Sequence, residues 1–214
     1  PGFRPMSEVE DVWDSMSERV VDMITFSLRD TKNAKVFVEA KTAIHTFIRT
    51  LESFEFSVSR LNALVLSFFR RFAQLLRERF AADFQQAIRE AQHQPMIVND
   101  ATELAKVLSV CWLKPGEAEQ LGKQPFPLSL PFSQTYPLCC MDIRSLVEQY
   151  YSFSQGMTQY HQEIDAILSQ SLDDLLIQLI SVNIRDTVEQ SNNLSQIAQI
   201  IVNLSLIHIS EPTR

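Results

Sequence analysis

Glycine is nearly absent: the chain holds four in 214 residues, where an ordinary soluble domain carries about 7%. That scarcity excludes Gly-rich phosphate loops and dinucleotide fingerprints, and it disfavours strand-turn architectures, because each needs backbone that glycine alone adopts cheaply. Cysteine is scarce too. Three residues, two of them adjacent at Cys139 and Cys140, make no disulfide framework, and no CxxC or Cys/His spacing points to zinc. The pair is expected as buried thiols at a helix start, in a reducing compartment. Lys and Arg number 19 against 26 Asp and Glu, a formal charge of −7. A general nucleic-acid binder needs a basic face, so nucleic acid is not an expected partner. Also missing is any run of about 18 apolar residues, so no membrane-spanning helix is predicted. Arg4 is followed by acidic, polar sequence rather than the apolar core of a secretory signal.

What remains is helical pattern, interrupted once. At 45% hydrophobic the chain can bury a sizeable core. Five of its nine prolines (Pro115, Pro125, Pro127, Pro131, Pro137) and two of its glycines fall between Lys114 and Pro137. Proline lacks the N–H of a helix ladder, so no continuous helix crosses this island, which reads as a joint. Upstream, Ser7 and Glu10 fit a capping box ahead of Val9, Val12, Met16, Val20, Met23 and Ile24. After a polar break at Asp30 to Asn33, a second apolar stripe runs from Val36 to Phe54. A third holds one face from Leu61 to Ala91, which predicts a helix roughly 45 Å long and an elongated molecule of nearly antiparallel helices. Asn99 or Asp100 is placed to cap a short helix through Cys111. Beyond Pro137 the spacing from Cys140 to Ile184 predicts one long or gently bent helix, since Gly156 costs only about 1 kcal/mol. Asn192 and Asn193 end it, and Ser195 is placed to cap another.

Candidate chemistry is thin. His161 and Glu163 make an H-x-E pair, but the deaminase form also needs P-C-x-x-C, and solvated helix polarity explains them better. Carboxylate-bridged metal sites need Glu-x-x-His pairs on facing helices, a requirement this sequence does not meet. Asp173 and Asp174 read as surface acids. No nucleophile elbow, Walker or kinase signature occurs. No catalytic, cofactor-binding or metal-binding residue is therefore assigned, and no cofactor is expected. Arg60, Arg70, Arg71, Arg77, Arg79 and Arg89 fit an anionic lipid or acidic partner, but Glu78, Asp83 and Glu90 are interleaved and favour a salt-paired face.

Three segments carry a family resemblance: QPFPLSLPFSQTYP (Gln124 to Pro137), YHQEIDAILSQSLDDLL (Tyr160 to Leu176) and LSQIAQIIVN (Leu194 to Asn203). FRRFAQLLRERFAADFQQAI (Phe69 to Ile88) with PMIVND (Pro95 to Asp100) fits more loosely. Together they resemble the exocyst component 6 family, the Rab-effector subunits of the exocyst vesicle-tethering complex. The resemblance implies an all-α, CATCHR-like rod of stacked helical bundles that tethers secretory vesicles to the plasma membrane without catalysis. Implied partners are other exocyst subunits and a GTP-loaded Rab GTPase, whose contact surface is expected in helices beyond this chain's C-terminal end. Peripheral membrane association through the complex is implied, with a cytoplasmic protein recruited to sites of exocytosis.

On this reading residues 1–6 are a disordered end of a fragment and 7–93 a first helical bundle. Residues 94–137 form a short helix with a proline-rich connector, and 138–203 a second, truncated bundle. Residues 204–214 (LSLIHISEPTR) resemble a translated sequencing adapter and are set aside. Alternatives in view are a helical tether of a Golgi or endosomal complex, a helical enzyme of unknown reaction, and a lipid-binding module.

Overall fold

The computed structural model describes residues 6–90, 94–113, 116–190, 198–199 and 201–202. The described residues fold as α1 (Met6–Leu28), α2 (Ala34–Glu52), α3 (Ser59–Glu90), β1 (Ile97–Val98), α4 (Ala101–Val110), α5 (Glu117–Gly122), β2 (Leu128–Ser129), α6 (Thr135–Ser154) and α7 (His161–Gln190), with a 3-10 turn at Thr158–Tyr160. The fold is all-α, as the breaker-poor sequence implied. Among the described residues the one sheet is the two-residue antiparallel ribbon of β1 and β2, with Val98 opposite Leu128.

The helix ends have local causes. Asn33 Oδ1 accepts from the Lys35 amide at 3.0 Å, starting α2. That helix stops where Glu55 takes a left-handed φ of 62° and the Phe56 amide reaches back to the Leu51 carbonyl at 3.1 Å, the bond pattern of a Schellman stop. Of the two cap candidates Asn99 and Asp100, it is Asp100 that starts α4: its Oδ1 accepts from the Glu103 amide at 2.8 Å, while Glu103 Oε2 accepts from the Asn99 amide at 2.9 Å. Pro137 lies in the first turn of α6, where the missing N–H has no helical partner to lose.

Two expectations need correction. Helix α1 is already formed at Met6, so Ser7 lies within it rather than at its cap; the Ser7 side chain is outside the described residues. The stretch from Cys140 to Ile184 is two helices, not one. Gly156 takes a φ of +82°, a conformation no helix interior contains, and the chain restarts through the 3-10 turn. Within the proline island Gly116, at φ 89°, leads into the six-residue α5, and no helix runs through the island, as its prolines implied. The helix end expected at Asn192 and Asn193, the cap expected at Ser195, and residues 1–5 and 203–214 lie outside the described residues.

Two compact units emerge, Pro1–Leu76 with Ser152–Ile167, and Arg77–Tyr151 with Leu168–Arg214. This partition differs from the sequence division at 93 and 138, because its boundaries fall inside α3, α6 and α7 rather than at the prolines. In the first unit, Phe37, Ile44, Ile48 and Leu51 of α2 are buried along with Leu61, Leu64, Phe68, Phe69 and Phe72 of α3. Phe153 closes this core, its ring stacked 4.5 Å from Phe72 and tilted 5.6 Å from Phe69. Each such aromatic contributes roughly 2–3 kcal/mol of burial.

The second unit buries Phe80 and Phe84 of α3, Leu104 and Val107 of α4, and Cys139, Cys140, Ile143, Leu146 and Tyr150 of α6. Here the proline island is core rather than loose connector. Leu128, Leu130, Phe132 and Tyr136 are all buried, and backbone bonds tie the island to the segment before α4: Leu130 N to Met96 O at 2.7 Å and Met96 N to Phe132 O at 2.9 Å. Tyr136 Oη donates to the Trp112 carbonyl at 2.5 Å.

Candidate interaction surfaces

The buried polar side chains serve helix ends and helix pairs. Lys41, buried on α2, donates through Nζ to the Phe153 carbonyl and, at 2.6 Å, to the Gln155 carbonyl. These carbonyls belong to the end of α6, where helical partners run out. A cation there also meets the negative end of the helix dipole. Burial pushes the Lys41 ammonium below its usual range. One turn on, His45 is held below its ordinary value, first by burial and then by Lys41 and Arg49, with Glu52 opposing. Its Nε2 is enclosed and makes no hydrogen bond. Sequence reading placed Ile44, Phe47 and Ile48 in this stripe but missed Lys41. A lysine aligned with buried positions three and seven residues on, Ile44 and Ile48, was the available signal.

In the second unit Arg77 of α3 pairs with Asp174 of α7, both side chains about a third exposed. Tyr150 Oη donates to Ser171 Oγ at 2.8 Å. Burial raises the Tyr150 phenol, against the opposing effects of that bond and of Arg77. Arg79 reaches Gln149 Oε1 at 3.1 Å. Three of the α3 arginines thus reach other elements, since Arg60 also meets Asp14 at 2.9 Å and Glu18 at 3.6 Å on α1, whereas Arg71 bonds Gln74 Oε1 of its own helix at 2.8 Å. Asp174 is an ion-pair partner and not the plain surface acid expected, whereas Asp173 is exposed.

His161 and Glu163 are both exposed at the start of α7, and the His161 ring contacts the Thr158 carbonyl through Nδ1 at 3.1 Å. Cys111, Cys139 and Cys140 are free and buried. Burial pushes the Cys111 thiol up to about 12, with Cys140 adding and Arg144 opposing. Cys139 and Cys140 are raised for the same first reason. Among the described residues no group of three or more His, Cys, Asp and Glu is arranged to hold a metal ion, and no helix is long and apolar enough to cross a membrane.

Exposed apolar side chains occur on several elements, among them Leu138, Met141 and Tyr151 of α6 and Ile177 of α7, and α1 carries four more. Its inward side carries Trp13, whose Nε1 donates to the Ser57 carbonyl at 2.7 Å and whose ring meets Phe47 and Phe56 at 6.2 and 5.6 Å. The outward side exposes Val12, Met16, Met23 and Phe26. The sequence reading put the exposed Val12, Met16 and Met23 in one stripe with the half-buried Val9, Val20 and Ile24 and named neither Trp13 nor Phe26, because an apolar list at helical spacing does not say which flank another helix covers.

These features define a helical scaffold: long helices, polar groups spent on helix ends, and side-chain surface presented along a helix flank. The chain belongs to the exocyst complex subunit Sec15 C-terminal family, whose model matches residues 60–211. It is similar to exocyst complex component SEC15 of Saccharomyces cerevisiae, 26% identical over 95% of this chain and 23% of that protein. It is likewise similar to sec15 of Schizosaccharomyces pombe, 28% identical over 72% of this chain and 19% of that protein. With exocyst complex component 6 of Rattus norvegicus it is 24% identical over 94% of this chain and 25% of that protein. The chain therefore spans about a quarter of the length of these relatives. No solved structure matches it.

Proposed function

We propose that the chain is a load-bearing segment of an exocyst subunit, joining neighbouring subunits as secretory vesicles are tethered to the plasma membrane, and that it does so without catalysis. Membership of the Sec15 C-terminal family carries the reading. The polar contacts agree with it: Lys41 is engaged with the Phe153 and Gln155 carbonyls, and Arg77 with Asp174. Partners on this reading are other exocyst subunits, and the parent protein is a Rab effector whose contact surface lies in helices C-terminal to these. The protein works in the cytoplasm and at sites of exocytosis, meeting the membrane through the complex.

The test is to delete the segment corresponding to Ala34–Gln190 from the full-length parent and purify the complex through a tag on a different exocyst subunit. Loss of the parent from the complex, with impaired secretion of a reporter, is expected. A complex of unchanged composition and normal secretion would refute the proposal. Binding of the full-length parent to GTP-loaded but not GDP-loaded Rab, unaffected by point changes in this segment, is the expected result for the Rab step.

A further inference from the structure

Helix α1 is fastened lightly. Of its described side chains, residues 8–28, only Ser17 is buried, and that hydroxyl donates to the Asp14 carbonyl of the same helix at 2.8 Å. The shorter α2 buries Phe37, Lys41, Ile44, Ile48 and Leu51. Trp13 and Arg60 hold α1 at the corner where α2 passes into α3. The half-buried indole lies against Phe47 and Phe56, with ring centroids 6.2 and 5.6 Å away, and its Nε1 donates to the Ser57 carbonyl at 2.7 Å. Next along α1, Asp14 and Glu18 stand one turn apart and meet the Arg60 guanidinium at 2.9 and 3.6 Å. The side chains of Arg60, Asp14 and Glu18 are 41%, 68% and 63% exposed, so water competes for these pairs and they add little. An element with few buried apolar contacts opens locally before the core does. The start of α2 is set by its own cap, Asn33 on the Lys35 amide, which leaves residues 29–33 as a hinge.

We propose that the corner formed by Phe47, Phe56, the Ser57 carbonyl and Arg60 is a docking site for an acidic helix that carries a tryptophan, that α1 fills it as a detachable strap, and that a helix of the same chemistry on a partner protein displaces α1. The occupant's chemistry is read from the contacts α1 makes. The site takes an aromatic ring between two phenylalanines, an indole N–H on a carbonyl, and carboxylates one and five positions further on at a guanidinium. The pairing is directed rather than a matter of net charge, since Glu52 and Glu55 stand exposed at the same turn of the chain. A basic helix would set like charge against Arg60. The α1 of a second copy offers the same contacts without the tether, so it loses to the linked helix, whose effective concentration is set by a short hinge. A partner helix wins by packing the corner more fully than α1, which leaves Trp13 half-buried and Phe47 41% exposed. The inference rests on the scaffold reading for its setting and names the chemistry of one contact that the scaffold makes.

Fluorescence anisotropy tests it with the full 214-residue chain and a labelled synthetic peptide of the α1 sequence, Met6–Leu28. Trp13→Ser with Asp14→Asn in the chain unfastens the strap, and this variant is expected to bind the peptide about tenfold tighter than the unaltered chain does. A peptide in which serine replaces the tryptophan is expected to bind the same variant about tenfold more weakly. Adding Arg60→Gln to the variant, which leaves the aromatic residues intact, is expected to weaken binding and flatten its salt dependence. Equal binding to the variant and the unaltered chain, equal binding of the two peptides, or indifference to Arg60→Gln overturns the proposal. Hydrogen exchange on the unaltered chain needs no substitution: the amides of α1 are expected to exchange about tenfold faster than those of α2 and α3, and equal protection would overturn the strap. So would a dimer of the unaltered chain that Trp13→Ser with Asp14→Asn abolishes, which would mean exchange of α1 between copies. The assay does not depend on exocyst membership, so its failure leaves the scaffold reading standing, and failure of the deletion test leaves this one standing.

Discussion

Lys41 and Phe153 meet twice: the ammonium of Lys41 donates to the Phe153 carbonyl and also stands 5.3 Å from the centroid of the Phe153 ring. One side chain of α2 thereby fixes both the backbone end of α6 and the aromatic that closes the core beneath it. This ties sequence positions 112 residues apart.

Removing that ammonium while keeping its aliphatic stem isolates the contribution. Lys41→Met is expected to destabilise the chain by about 1.5–3 kcal/mol, the range for hydrogen bonds to a charged group, because the Phe153 and Gln155 carbonyls lose their donor. Urea unfolding measures it. A loss below about 0.5 kcal/mol would mean that water replaces the ammonium at no cost.

Two left-handed residues give opposite expectations. Gly156 has a φ of +82°, and a Cβ there would sit 3.8 Å from His45 Cε1, an ordinary contact, so Gly156→Ala is disfavoured by backbone conformation alone, by about 1–2 kcal/mol. Glu55 occupies the same region at φ 62° without being glycine. Glu55→Gly should therefore raise stability by a few tenths to about 1 kcal/mol, the relief of strain being partly offset by a more flexible unfolded chain. Midpoints of thermal or urea unfolding that moved in the same direction for both would contradict the backbone argument.

His45 makes stability depend on pH. The unfolded imidazole gains its proton near 6.5, while in the folded chain burial and the neighbouring Lys41 and Arg49 delay that gain to lower pH. Between the lowered folded value and 6.5 the unfolded state binds more protons, so this contribution to stability falls as pH drops through that window and is full above it. His45→Gln removes the titration. The stability difference between parent and variant, from urea curves at about pH 7.5 and pH 5.5, is expected to shift against the parent on acidification. A difference that is flat, or that shifts in the parent's favour, would contradict this sign.

The three thiols should be inert until the chain unfolds. Cys111, Cys139 and Cys140 are buried and each is pushed toward its protonated form, Cys111 to about 12. At about pH 8 an aromatic disulfide reagent is expected to titrate all three promptly in guanidinium chloride and none at a comparable rate in buffer. Rapid reaction of any one in the folded chain would show a local opening that exposes α6 or the end of α4.

Much of this fold was written in local chemistry. Few glycines, helical spacing and a cap at Asn99 or Asp100 ahead of α4 pointed to the all-α class and to that helix start, because a cap or a breaker acts within one turn of itself. The family was likewise legible in short words such as Gln124 to Pro137. Tertiary structure alone decided the rest, since each remaining feature depends on residues far apart in sequence. It turned the proline island inward through Leu130 and Phe132, and it gave α6 an end at Gly156 that Lys41 of α2 satisfies. Above all it chose which flank of α1 is covered. Periodicity marks Trp13 and Met16 alike as apolar, and only the neighbours Phe47 and Phe56 determine that the first is packed while the second stays exposed.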